Sequence, residues 1–308
     1  MVEIGFEFTA MSCPCEIRLV GPDEVQVQQA AKAGMQEVLR IEHKYSRYRP
    51  DSLLSRINTA AGQPQPVPID EETAGLLKLG GQLHHASQGR FDLTSGVLRR
   101  AWNFKLGRLP TQAQLDKLLP LVGWHRAEFD DRQVRLPIEG MELDLGGIGK
   151  EYAADRAAER CQAMGMAGGF VDLGGDIRVI GPRADGTGWR LGIRDPRDEH
   201  KLLGELTLSQ GALATSGDYE RGFEVDGRRY GHLIDARTGW PVSHWSSISV
   251  AAPNAVAAGA LATLGMLLGE QAQAMLEAQG VWCIFQRTQA MPSARQLPLN
   301  ESAFMLNS

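Results

Sequence analysis

The sequence predicts an α+β fold, and three observations carry that reading. Apolar residues recur every three or four positions in several stretches, which read as helices. Short runs, mostly in the second half, alternate apolar and polar residues as half-buried strands do. The two kinds of segment do not alternate as βαβ units, which argues against a doubly wound parallel sheet.

The first helix is written by Val27, Ala31, Met35, Val38, Ile41 and Tyr45, and it ends before Pro50. Residues 62–68, with three prolines, read as a surface loop. A second helix is expected over 71–87, with Asp70 as N-cap and Leu76, Leu77, Leu79 and Leu83 apolar. Leu143-Asp144-Leu145 reads as a short strand entering a glycine turn, which opens a third helix over 150–164 that Gly165 stops. Phe170 to Leu173 is another apolar strand, ending in the turn Gly174-Gly175-Asp176. Trp189, Leu191 and Ile193 alternate with Arg190, Gly192 and Arg194, and similar runs occur at 205–208, 247–251 and 281–285. Thr215, Ser216, Gly217 and Asp218 follow a strand and read as a hydroxyl- or carboxylate-braced turn closing a hairpin. His232 is expected on a strand, on the same face as Ile234 and opposite Asp235. Asn254 caps a helix running to about Leu268, and 271–279 forms the last one before Gly280.

The chain has 308 residues, 43% hydrophobic and 22% charged, and is read as a single domain over 1–308. Lys plus Arg number 32 against 37 for Asp plus Glu, so the net charge of −5 argues against a general nucleic-acid binder. Its 35 glycines cluster in short runs between apolar segments, unlike collagen or a disordered linker. Cys13, Cys15, Cys161 and Cys283 contain no Cys-x-x-Cys pair and are too few for a disulfide framework, so a reducing compartment is the default. Glu3, Glu7, Glu16 and Arg18 interrupt the N-terminal apolar residues, and Ala10-Met11-Ser12-Cys13 lacks the upstream stretch of a lipoprotein cleavage box. No export signal and no membrane span are expected, and the location read from the chain as given is cytoplasmic.

The densest motif is Leu143 to Tyr152, Leu-Asp-Leu-Gly-Gly-Ile-Gly-Lys-Glu-Tyr. A glycine turn opening a helix aims backbone N–H groups at an anion, and Lys150 adds a positive charge; a tight strand-to-helix turn with no ligand is the alternative. It is not a Walker loop, because Lys150 is followed by Glu151 and the glycine spacing differs. It is not a dinucleotide fingerprint either, since Tyr152 stands where the third glycine belongs. Tyr45 to Ser52 stacks a planar ring or caps the helix before it, and residues 89–94 and 102–104 are equally open. His84-His85 lacks an i, i+4 partner for zinc and reads as surface. His232 is either a packed or exposed strand histidine or a general base.

Taken in order, these segments resemble the ApbE family, the FAD:protein FMN transferases, from Phe8 to about Val281. The resemblance rests on Ser46-Arg47-Tyr48 with Asp51-Ser52, Ser55 and Asn58; on Phe91-Asp92-x-Thr94-x-Gly96 with Trp102; and on Asp144 to Tyr152 with Asp155. Asp172-x-Gly174-Gly175, Thr215-Ser216-Gly217, His232-x-x-Asp235-x-x-Thr238-Gly239 and Ala260-Leu261-Ala262-Thr263 complete it. It implies an ApbE-like fold of mixed helices and largely antiparallel sheet. It implies a protein that binds FAD and passes its FMN half to a threonine or serine hydroxyl of a target flavoprotein, releasing AMP. Tyr48 would stack on the isoalloxazine; Met11, Arg90, Phe91, Asp92, Asp144, Lys150 and Ile234 would contact FAD. His232 would take the proton from the acceptor hydroxyl, Thr215 and Ser216 would line the cavity, and the turn at Gly175 would shape its floor.

For magnesium the resemblance implies the Gly147 carbonyl, the Thr263 hydroxyl and a carboxylate four residues before Thr263, where this sequence has Gly259. Glu151 stands where the family commonly has glycine. Its carboxylate is expected either to replace part of what is missing or to lie solvated against the helix dipole. An aspartate restored at 259 is expected to raise metal affinity. Two smaller departures are Met11-Ser12-Cys13 for the family's Met-Gly-Thr, and Asp235-Ala236 for its Asp-Pro. A non-catalytic FAD carrier and a metal-dependent FAD pyrophosphatase remain alternatives. The family is often exported, which leaves open a leader that this sequence lacks.

Overall fold

A computed structural model of the chain describes residues 1–104, 106–195, 197–219, 221–288 and the backbone of 295–296. Strands β1 (Val2–Ala10) and β2 (Cys13–Gly21) form a hairpin closed by Met11-Ser12. Both turn residues have positive φ, 51° and 62°, the conformation that suits the twist of a two-residue hairpin but that Gly and Asn adopt at less cost. Glu42 accepts the Met11 N–H at 2.8 Å and so braces the strained turn. Glu42 belongs to α1 (Glu24–Tyr45), whose N-cap is Asp23.

After α2 (Leu53–Thr59), β3 (Val67–Pro68) lies inside the segment expected to be loop, and α3 (Glu71–Ala86) starts at its Asp70 cap as expected. Helix α4 (Gln112–Leu118) precedes β4 (Glu128–Phe129) and β5 (Gln133–Arg135), and β5 pairs with both β3 and β4. Helix α5 (Gly149–Ala163) and strands β6 (Gly168–Leu173) and β7 (Asp176–Gly181) follow. Next come β8 (Trp189–Asp195), β9 (Asp198–Leu208) and β10 (Gly211–Gly217). Short hairpins β11 (Gly222–Val225) with β12 (Arg228–Gly231), and β13 (Ile234–Asp235) with β14 (Trp240–Pro241), lead into β15 (Trp245–Ala252). Helices α6 (Ala255–Leu268) and α7 (Ala272–Ala278) and strands β16 (Trp282–Arg287) and β17 (Arg295–Gln296) end the described chain.

The central sheet runs β1-β2-β6-β7-β10-β15-β16-β17, with every neighbour antiparallel. One face carries α1, α5 and α6 over the largest core cluster, which includes Ile17, Leu19, Val38, Ile41 and Val171. The other face packs on the β8–β9 ribbon through Trp189, Leu191, Ile193, Leu206 and Leu208. Helix α1 lies close to α5 because Gly34 offers no side chain: a Cβ there would stand 2.9 Å from Cys161 Sγ. The stretch Ala255–Ala278 is long and apolar enough to cross a membrane by length and composition. Here it forms two helices on either side of the turn Gly269–Gln271, and α6 is buried along most of its length against β10 and β15.

Three expectations are corrected. Thr215, Ser216 and Gly217 lie within β10, where they pair with Ser249, Ile248 and Ser247, so they form no turn. His232 occupies the bend between β12 and β13 and is not on a strand. Leu143-Asp144-Leu145 is extended without being a strand; Asp144 N–H donates to the Leu93 carbonyl at 2.8 Å.

Strand β6 enters the sheet through two glycines that nothing larger could replace. Gly169 has φ of 127°, and a Cβ on it would lie 2.1 Å from the Arg18 carbonyl oxygen. Gly169→Ala is therefore expected to cost about 3 kcal/mol or more, read as a lower urea midpoint with an unchanged slope.

Candidate active site

The segment before α5 is held from the side by Asn58 on α2. Its amide oxygen accepts the Leu143 N–H at 2.7 Å, and its amide NH₂ donates to the Leu143 carbonyl at 2.9 Å, replacing a neighbouring strand. Asp144 Oδ1 accepts the Gly146 N–H at 2.8 Å, and the Ile148 and Gly149 N–H groups both donate to the Leu145 carbonyl. The N-cap residue Ile148 supplies no side-chain cap to the first turn of α5, and the Gly149 N–H there is taken by the Leu145 carbonyl. Gly147 is required by proximity, because a Cβ would stand 2.9 Å from Phe91 Cε2. Lys150 pairs with Asp176, whose side chain is 3% exposed, and Asp176 also accepts the Thr215 N–H at 3.3 Å.

Arg47 joins the glycine turn to an aromatic. It forms an ion pair with Asp144 and lies over the Tyr48 ring, Cζ 5.0 Å from its centroid, while Nη2 donates to the phenol oxygen at 2.9 Å. That hydrogen bond, with the guanidinium charge beside it, holds the Tyr48 phenol below its usual pKa. Tyr48 is 74% exposed, so the ring is open to solvent away from the guanidinium.

Arg90 lies 3.5 Å from Asp235, and its carbonyl accepts the Ala236 N–H at 3.0 Å, which ties the 89–94 loop to the hairpin after His232. The Asp92 carboxylate is engaged inside the protein: Oδ1 accepts from the Thr94 N–H and hydroxyl, and Oδ2 from the Trp124 N–H. His84 is not a plain surface residue. It is half-buried, with Nδ1 3.0 Å from the Phe91 carbonyl and 3.4 Å from Asp92.

His232 is placed by its neighbours. Gly231 is packed so that a Cβ would meet the Asp218 Cβ at 2.8 Å. Trp102 donates from Nε1 to the Gly239 carbonyl at 2.8 Å and packs with Phe104, Phe223, Tyr230 and Trp240, fixing both short hairpins around the bend. Solvent reaches the residue, yet enough protein surrounds the imidazole that loss of solvation lowers its pKa; a hydrogen bond to the Arg221 backbone opposes this, and the charges of Arg221 and Lys150 add to the lowering. A lowered pKa leaves the ring neutral and able to accept a proton at neutral pH.

Glu151 faces α6. It is 7% exposed, so the solvated reading fails, and its carboxyl fills the space over Gly259: a Cβ there would stand 2.5 Å from Glu151 Cγ and 2.7 Å from Oε1. An aspartate at 259 therefore requires the Glu151 carboxyl to move aside. Burial, and next the negative charge of Asp176, push the Glu151 carboxyl up to about 8. Its Oε2 is buried with no hydrogen-bond partner. Thr263, one turn beyond Gly259, shares a hydroxyl hydrogen bond of 2.9 Å with Ser216. Among the described residues no three His, Cys, Asp or Glu side chains converge as a metal cluster. One carboxylate with neutral oxygens still fits magnesium, which takes one or two carboxylates and completes its shell with water and phosphate. A separate groove of about 570 Å³ between α3, α5 and the start of α6 contains none of the predicted site residues.

Residues 11–285 match the sequence model of the ApbE family. The chain belongs to the ApbE family. The FAD:protein FMN transferase of Vibrio cholerae is 32% identical over 238 residues, covering 75% of this chain and 71% of the relative. That of Haemophilus influenzae is 30% identical over 241 residues, covering 75% and 70%. An ApbE protein from Thermotoga maritima has a similar structure, with a TM-score of 0.84 at 32% identity over 92% of this chain and 94% of that one. The α+β, ApbE-like fold with its antiparallel sheet is thereby borne out.

Within that fold, Asp144, Gly147, Lys150 and Phe91 gather around the start of α5, Tyr48 joins them through Arg47, and Met11 sits at the β1–β2 turn. Ile234 is half-buried in β13, and His232 occupies the bend before it, within electrostatic reach of Lys150. Sequence reasoning missed the pairing of Asp176 with Lys150 and the contribution of Arg221, which no spacing in the chain announces.

Proposed function

We propose that the chain is an FAD:protein FMN transferase that moves FMN from FAD to a threonine or serine hydroxyl of a target flavoprotein and releases AMP. The observation that carries the proposal is the family match over residues 11–285, which brings in both His232 and the Lys150 at the start of α5 whose charge reaches it. The N–H groups of the first α5 turn and Lys150 hold the pyrophosphate, and Tyr48 offers its open face to the flavin ring. Met11, Arg90, Phe91, Asp144 and Ile234 complete the contacts, with Asp92 acting through the loop that it fixes.

The acceptor hydroxyl oxygen attacks the phosphorus of the FMN half, and its proton passes to the imidazole of His232. The bond from that phosphorus to the bridging oxygen breaks, and AMP leaves with that oxygen. Positioning and charge neutralisation supply most of the rate in such a transfer. Bound magnesium, held by the Gly147 carbonyl, the Thr263 hydroxyl and a carboxylate, would add neutralisation of the pyrophosphate charge.

Incubation with FAD, Mg²⁺ and a threonine-bearing flavoprotein is expected to give AMP and flavin fluorescence on the acceptor that survives denaturation. AMP without label identifies a pyrophosphatase, and FAD binding with neither product identifies a carrier. Because the His232 pKa is lowered, the base is present above that value and lost below it. The rate is expected to fall in acid with a midpoint under the ordinary histidine value of about 6.5 and to stay level above neutrality. A midpoint above 7 would count against His232 as the base.

A further inference from the structure

Helices α5 and α6 meet in a register that two observed contacts fix. Asp155 accepts the Ala255 and Val256 N–H groups at 2.8 and 2.9 Å, so a residue of one helix caps the start of the other. Four residues earlier on α5, Glu151 lies over Gly259, four residues after Ala255 on α6. The helices are therefore antiparallel along this seam, with contacts one turn apart. A further step of four residues along α6 reaches Thr263, and Gly147 stands four residues before Glu151 in the turn that opens α5. Beyond the cap, then, the seam holds the Glu151 carboxylate over Gly259, one helical turn from the Thr263 hydroxyl.

The carboxylate is the unusual member. Glu151 is more than nine-tenths buried, one of its oxygens has no partner, and the space it fills exists only because residue 259 has no side chain. A buried carboxylate oxygen without a partner costs free energy that folding alone does not return, whereas a bound cation does return it. We propose that Glu151 supplies the carboxylate of a divalent-cation site between α5 and α6, delivered from the α5 side of the seam into the notch that Gly259 leaves. The two positions are exchangeable: a carboxylate reaches the site from 151 or from 259, but not from both, because their atoms overlap. This deepens the transferase proposal and rests on it only for the cation's role in the reaction, since cation uptake is measured without FAD.

The test titrates Mn²⁺ alone into the full chain and counts the free aquo ion by electron paramagnetic resonance, with far-UV circular dichroism to confirm folding. The wild-type protein is expected to take up Mn²⁺. E151Q, which keeps the shape and removes the charge, is expected to weaken uptake by about tenfold or more. E151A is expected to weaken it at least as much, and the exchange variant E151A/G259D to recover most of the loss. Three results would overturn the proposal: no Mn²⁺ uptake by the wild-type protein, wild-type affinity in E151Q, or an E151A/G259D protein that binds no better than E151A. The expected uptake pattern in a protein that yields neither AMP nor labelled acceptor would instead overturn the transferase reading and leave Glu151 as the ligand.

Discussion

His232→Ala is expected to lower the FMN-transfer rate by about 10²–10⁴ while FAD still binds. The residue meets solvent and its imidazole is neutral, so its loss removes a proton acceptor and leaves the core intact. The hairpins beside it are fixed by Trp102 and its aromatic neighbours, which the substitution does not touch. Binding is read from quenching of flavin fluorescence, and transfer from AMP and label together. Loss of FAD affinity in parallel with the rate would make His232 a binding residue and remove it from the proton-transfer step.

Lys150→Met is expected to damage both stability and binding. Asp176 is almost fully buried, and without its cation it keeps an uncompensated charge at a cost of about 3 kcal/mol. The same change removes the positive charge beside the α5 N-terminus, so FAD affinity falls as well. The double variant Lys150→Met/Asp176→Asn separates the two effects: it should recover most of the urea midpoint, because no buried charge is stranded, and none of the FAD affinity. Recovery of both would show that Lys150 serves the fold alone.

How far the chain could be read in advance depended on how locally each feature was written. Helices α3 and α6 start at Asp70 and Asn254, and α5 stops at Gly165, since caps and stops are single-residue signals. The β1–β2 hairpin escaped because its turn is Met11-Ser12 and not an asparagine-glycine pair, although Val2, Ile4, Phe6 and Phe8 do alternate with other residues. Thr215 and Ser216 look like turn formers, yet their place in β10 is set by pairing with β15, a long-range contact that overrides local preference. The Tyr, His, Leu and Ile around position 232 have strand composition, but β12 ends at Gly231, where the backbone packs against Asp218, and His232 falls in the bend beyond it. The exchange of size between Glu151 and Gly259 was legible as two separate oddities. Only the seam between α5 and α6 shows that one residue fills the space of the other.

The most direct test of the whole account is a crystal structure of the chain with FAD bound. The pyrophosphate is predicted over the first turn of α5, beside Lys150, with the FMN phosphorus facing His232 and the isoalloxazine against Tyr48. FAD bound with its pyrophosphate away from that helix end, or with His232 turned to bulk solvent on another side of the protein, would contradict it.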